Sequence, residues 1–246
     1  MSDSVNPGIS DLMGIQPYSD AVKIVTQAAV DKVHAFLERL CYPASKELGL
    51  DLKDLVKEWR ISFARSIVEK GKKKLEARVG DAEVHAHPRM ISDIIEKGSR
   101  VDDPELQEMW AGLLASSCTE DGKDQSNLVY ANILGQMTAT QSRILDYICR
   151  EMQIGYHLPS KSVEAKLLIV PTTKIVEVAQ IADLIKIYVE LYHMDTLGLI
   201  TGGFFAASRH QIEVRPTSFA MSLFVRCQGS RQTPYDFFAG RSQGER

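Results

Sequence analysis

The sequence predicts a mainly α fold, with an N-terminal helical domain followed by an α+β domain that carries a small β-hairpin. Two observations predict it. Apolar residues recur every three or four positions through most of the chain, the period of a helix with one buried face. The strict alternation of a half-buried strand is confined to Gln211-Ile212-Glu213-Val214-Arg215, after a Gly202-Gly203 turn. With 44% hydrophobic residues among 246, there is ample apolar surface for one large core or two ordinary ones.

Taken in order, Met1 to Ser19 contains Pro7, Gly8, Gly14 and Pro17 and no basic stretch ahead of an apolar run, so residues 1–19 read as a flexible leader without a signal peptide. From Asp20 to Tyr42, the residues Val22, Val25, Ala29, Val33, Phe36, Leu37 and Leu40 give a helix one greasy face, and Pro43 ends it. A second helix runs from about Leu50 to Val79, with Leu52, Leu55, Val56, Trp59, Phe63 and Ile67 on its buried side. Two shorter helices follow, over Pro88 to Lys97 and Pro104 to Ser116. Asp102 or Asp103 caps the second, with Pro104 in its first turn and Glu105 near its positive end. Glu120 to Ser126 is a polar loop, which closes a helical domain over residues 20–134.

Beyond it, Thr138 or Thr140 caps a helix carrying Ile144, Leu145, Ile148 and Met152. Lys166 to Val178 is β-branched and interrupted by Pro171, which predicts an extended segment or short strand. A long apolar helix over Ile181 to Thr196, the glycine turn, the alternating strand and a last helix with Phe219, Leu223, Phe224 and Val225 complete the order. Helix, strand-like piece, helix, hairpin and closing helix together describe a winged-helix-like domain over residues 135–228. Gly229 then opens a polar, glycine-bearing flexible tail over residues 229–246, with Tyr235, Phe237 and Phe238 as its only greasy anchors.

Charge is distributed unevenly although the formal net charge is only −3. Eight Lys or Arg stand against three Glu between Lys57 and Arg78, and nine acidic residues against three basic ones between Asp93 and Asp124. The simplest use of opposite stripes is for the two segments to face each other, within one molecule or between subunits; two solvated faces are the alternative. The small net charge offers no general attraction to nucleic acid or an anionic membrane. No segment reaches the roughly 18 consecutive apolar residues of a membrane span. Cys41, Cys118, Cys149 and Cys227 form no C-x-x-C pair and read as reduced thiols of a cytoplasmic protein.

Chemistry-bearing motifs are sparse. No P-loop, dinucleotide-binding glycine fingerprint or nucleophile elbow is present, so neither a catalytic residue nor a cofactor is predicted. His85-Ala86-His87 with Glu83 nearby supplies two or three metal-ligand types, but ordinary polar roles in a loop account for them equally, and no metal site is assigned. The helix ahead of the predicted wing is where a winged helix would meet DNA. Between Glu177 and Asp195 it bears four acidic residues against Lys186 alone, so nucleic-acid binding is disfavoured, with Arg209, His210 and Arg215 left as phosphate contacts near the wing. Lys70, Lys72, Lys73, Lys74, Arg209 and Arg215 are the candidate interaction surface.

The chain's only two tryptophans lie in the segments Leu48 to Arg60 and Asp102 to Leu114. Gly49-Leu50 leading to Trp59-Arg60, and Leu106-Gln107-Glu108-Met109-Trp110-Ala111-Gly112-Leu113-Leu114, resemble the bacterial abortive infection alpha family, found in phage-defence contexts. Thr217 and Phe224-Val225-Arg226-Cys227 are similar to that family's closing turn and helix. Two departures are Gly112, where Asn is common, and Ser218-Phe219-Ala220 in place of Leu-Gly. The resemblance marks Trp59, Arg60, Leu106, Trp110, Ala111, Leu113 and Leu114 as pattern positions, read as architectural, with Arg60 expected to reach the acidic Asp102 to Glu108 stretch. It implies an antiviral, abortive-infection role exerted through a protein partner or a second copy of the chain. A nucleic-acid-binding regulator and a toxic enzyme with an unrecognised site are the alternatives.

Overall fold

The computed structural model describes residues 31–32, 35–37, 39–40, 61–80, 82–202 and 210–244. The fold is mainly helical. Helical residues between Asp31 and Leu40 lead the described chain, with Leu37 and Leu40 each 1% exposed. Then come α1 (Ile61–Val79), α2 (Pro88–Gly98), α3 (Pro104–Ser116), α4 (Leu128–Leu134) and α5 (Ala139–Glu151). Strands β1 (Ile154–His157), β2 (Ser162–Ala165) and β3 (Leu168–Pro171) follow, with α6 (Thr172–Ala179) and α7 (Leu184–Thr196) after them. The chain ends in β4 (Ile200–Thr201), β5 (Gln211–Pro216), α8 (Ser218–Cys227) and α9 (Pro234–Gly244).

Local chemistry fixes the helix starts. Asp103, rather than Asp102, caps α3: its Oδ1 accepts from the backbone N–H of Glu105 (3.1 Å) and Leu106 (2.9 Å). Thr138 opens α5 through a capping box, its hydroxyl accepting from Gln141 N while the Gln141 side chain accepts from Thr138 N, both at 3.2 Å. Asp183 caps α7, and Thr217 caps α8 by accepting from Ala220 N at 3.0 Å.

Two antiparallel sheets lie in the second half. β1 and β2 form a hairpin with Ile154 opposite Ala165 and His157 opposite Ser162. The other sheet has the order β3-β5-β4, so the last strand in sequence is central; Leu168 faces Val214 and Ile200 faces Pro216. Alternation along β5 buries Ile212 and Val214, as the period-two pattern requires.

α3 is the hub. It packs along α1 and also meets α2, α4, α5 and α8. Beyond Glu108 every residue from Met109 to Ser116 is buried, so this helix is enclosed on all sides. Two glycines let neighbours approach it. A Cβ at Gly98 of α2 would stand 2.7 Å from Ile67 Cδ1 and 3.1 Å from the Trp110 ring, and a Cβ at Gly112 would fall on the Cys227 carbonyl of α8. Gly112, noted above as a departure from the family pattern, is therefore a packing requirement in this chain.

Three segments differ from expectation. The stretch expected to be extended over Lys166 to Val178 is strand only to Pro171 and then turns into α6, because Ile175 and Ala179, four apart, are both fully buried; tertiary packing outweighs β-propensity here. The helix expected from Ile181 starts at Leu184, since Gln180 is left-handed (φ 57°) and Asp183 supplies the cap. The segment expected to be an unpacked tail carries α9: Phe238 is 4% exposed and stacks on Phe224 at 6.1 Å, and Tyr235 meets Tyr156 edge-on at 5.7 Å. Helix α4 and the β1–β2 hairpin were not expected at all. Among the described residues, no helix is long and apolar enough to cross a membrane.

Gly112→Ala is expected to destabilise the protein by at least about 3 kcal/mol, because the added methyl meets backbone rather than a movable side chain. Urea unfolding of the variant beside the parent chain measures it.

Candidate interaction surface

The pattern residues on α3 are interior. Leu106 is 4% exposed, and Trp110, Ala111, Leu113 and Leu114 are between 0% and 1%. Trp59, Arg60 and Arg209 lie outside the described residues. The acidic start of α3, which Arg60 was expected to reach, is held by an arginine that sequence reasoning missed: Arg143 of α5 donates to Asp103 Oδ2 at 2.8 Å and lies 3.9 Å from Glu105. Both Arg143 and Asp103 are largely buried, so this pair ties the two halves of the chain. Its only sequence signal is an arginine on the otherwise apolar side of a helix.

The opposite charge stripes do face each other within one molecule. Lys70 and Lys74 of α1 each approach Glu108 of α3 at 3.2 Å. Lys72 pairs along its own helix with Glu76 at 3.6 Å, and Lys73 is exposed. Arg215 sits on β5 within 3.4 Å of Glu164 on β2. The candidate basic residues are thus not gathered into one patch: two are spent on the α1–α3 contact and one on the strands.

The C-terminal end of α3 is closed by arginines from far along the chain. Arg78 Nη2 donates to the carbonyls of Ala115 (3.0 Å) and Cys118 (2.9 Å), while Arg231 Nη1 donates to Ser116 O (2.9 Å) and Nη2 to Asp124 (2.6 Å). Burial lowers Arg78 and Arg226 from the ordinary arginine value, and the charge of Arg231 adds to this. Asp124 shows the opposite balance. Burial alone would raise its carboxyl, but hydrogen bonds from Ser126 and Arg231 outweigh it and bring it down to about 2.

A cavity of about 470 Å³ opens between α1, α3, α5, α6 and α8. Its Ser142 hydroxyl donates to Ala139 O at 2.7 Å, and burial pushes the Cys227 thiol far up. Cys118, elsewhere in the core, is pushed up to about 11. Thiols so placed hold their protons at neutral pH and are poor nucleophiles. His87 caps α2 by accepting from Arg89 N at 3.2 Å, and His85 lies 3.7 Å from Glu83. Among the described residues, no group of three or more His, Cys, Asp or Glu is placed to hold a metal ion.

Among the described residues, the outward face of α7 carries a line of exposed apolar side chains. Ile185, Val189 and Tyr192 are 74%, 64% and 68% exposed, and their spacing puts them in one line along the helix. The helix is held from behind by Ile187, Leu191 and Met194, all fully buried. Its Glu190 accepts from Gln141 Nε2 (2.7 Å) and from the Thr138 hydroxyl (3.0 Å), so the cap of α5 fixes the position of α7. The sequence showed this helix as apolar but not which apolar residues the core would leave outside.

The family model for abortive infection alpha matches residues 63–214, well over half of the chain. The chain belongs to the abortive infection alpha family. No curated protein matches it, and neither does any solved structure. The abortive infection alpha match begins in α1 and ends within β5, so it takes in α3, the Arg143–Asp103 tie and the exposed face of α7.

Two outcomes follow from the charges. Arg143→Ala, which leaves Asp103 largely buried and without its cation, is expected to cost about 3 kcal/mol; Arg100→Ala, at an exposed pair, is expected to cost under about 1 kcal/mol. Chemical denaturation of both variants at neutral pH compares them. Asp124 is depressed in the folded state, so its stabilisation is present above the ordinary carboxylate value and lost as pH falls through about 2. Asp124→Asn is expected to flatten the fall of melting temperature between the two, read by thermal unfolding across that window.

Proposed function

We propose that this chain is an antiviral defence protein of the abortive-infection type that acts in the cytoplasm through protein contacts rather than by its own catalysis. Family membership supports the defence role. The observation that carries the contact mechanism is the line of Ile185, Val189 and Tyr192 on α7: three large apolar side chains, each more than half exposed, rigidly presented on one helix face. Water is a poor neighbour for such a face, and a protein partner or a second copy of the chain removes it from water.

In this reading residues 20–134 form a helical unit and residues 135–228 a winged-helix-like unit that serves as a platform. The order α5, β3, α6, α7, β4, β5 with the sheet order β3-β5-β4 supports the winged-helix assignment. α7 then occupies the position that meets DNA in winged-helix DNA readers, but its exposed face is apolar with Lys186 as its basic residue, and Arg215 is engaged near Glu164. The pattern residues Leu106, Trp110, Ala111, Leu113 and Leu114 keep an architectural role, as does the exposed Lys73 a minor one on the surface.

Cells producing the parent chain are expected to survive phage at low dose and collapse at high dose. Val189→Glu with Tyr192→Glu is expected to abolish protection while leaving the melting temperature unchanged. Retained protection by a folded double variant would overturn the contact reading. A salt-dependent DNA shift by the parent chain, weakened by Arg215→Ala, would favour the nucleic-acid alternative instead.

A further inference from the structure

We infer that the groove between the described helical residues from Asp31 to Leu40 and α1 is a binding site for a single-chain anionic amphiphile, a molecule with one apolar chain and a phosphate or carboxylate head. The inference is separate from α7 and does not rest on the defence reading. The groove encloses about 410 Å³, a volume suited to a small ligand. Its apolar lining is Ala35, Phe36 and Val68, and Val68 is recessed to 3% exposure. Around this lining stand four cations, Lys32, Arg39, Arg65 and Lys72, against one carboxylate, Glu69.

The cations are not equivalent. Arg65 is held by Glu69 at 2.6 Å and Lys72 by Glu76 at 3.6 Å. Among the described residues, Lys32 and Arg39 have no carboxylate partner. The Arg39 guanidinium is steadied instead by the face of the Phe36 ring, 5.5 Å from its centroid, which leaves its N–H donors free for an anion. The helix that carries it is tied down at its end, where Ala86 N donates to Leu40 O at 2.9 Å. An oriented arginine beside an apolar recess is a receptor for a head and a tail together.

The walls favour such a ligand over a peptide. Among the described residues the groove is lined from helices and has no strand edge with which an extended peptide could pair. They also favour a free molecule over a bilayer. Val68, at 3% exposure, is the most recessed of the apolar lining, so a chain that reaches it enters the groove singly.

Calorimetric titration of the full chain with decyl phosphate, below its micelle concentration, is expected to show one saturable site. Decanol and inorganic phosphate are each expected to bind at least about tenfold more weakly. Arg39→Gln combined with Lys32→Gln, and separately Ala35→Phe to fill the recess, are expected to weaken decyl phosphate by a similar factor without changing the melting temperature. Equal affinity for decanol, unchanged affinity in both variants, or no uptake by the folded chain overturns the inference. Flotation with phosphatidylglycerol vesicles that is insensitive to Ala35→Phe would reassign the groove to a membrane surface. Tighter binding of an acidic Glu-Leu repeat peptide than of decyl phosphate would reassign it to a protein.

Discussion

The enclosure of α3 is the constraint on which the rest of the structure depends. A helix with no solvent face past its second turn must be met by other elements all round, and the chain supplies them from both sides of it in sequence: α1 and α2 before, α4, α5 and α8 after. Close approach is possible only because Gly98 and Gly112 remove the side chains that would otherwise hold α2 and α8 away. Trp110, with no exposed surface, fills the space that remains beside Gly98. From Met109 to Ser116 every position is buried, so a change of side-chain volume there is felt as a loss of packing.

Charge in this protein is used largely for holding elements together. The basic stripe of α1 is drawn into α3 through Glu108, the start of α3 is closed by Arg143, and its end by Arg78 and Arg231. Among the described residues, two features face outward without being drawn into these ties, the apolar line of α7 and the cationic groove beside α1. The two differ in kind. One is a ridge that suits a large apolar partner, and the other is a recess that suits a small charged one. Neither requires the protein to make or break a covalent bond, which accords with buried, proton-retaining thiols and with a serine hydroxyl committed to a backbone carbonyl.

Much of the helical framework was legible in the sequence because it rests on local signals. Proline in the first turn and an acidic cap located α3, a capping threonine at Thr138 or Thr140 located α5, and alternation located β5. The parts that were not legible depend on distant neighbours. α6 is β-branched and helical because the core takes Ile175 and Ala179; α9 packs because Phe224 waits for Phe238. The opposite charge stripes were readable as complementary, and among the described residues they meet at Glu108. The exposed stripe of α7 could not be read from periodicity, since a helix with apolar residues on several sides does not say which side the core will use. Arg143 escaped notice for a related reason, as its partner lies 40 residues away.

The last residues of the chain stand in an instructive relation to the family match. That match stops at residue 214, inside β5, yet the carbonyl that seats against Gly112 belongs to Cys227, and the guanidinium that covers the end of α3 belongs to Arg231. The segment that the family model matches is therefore not the whole of the packed unit around α3. A fragment trimmed to it would expose the backbone crossing at the centre of the molecule and leave Ser116 O to water. The surroundings of α3 are thus completed by residues that follow the matched stretch in sequence, carried by α8 and the turn after it.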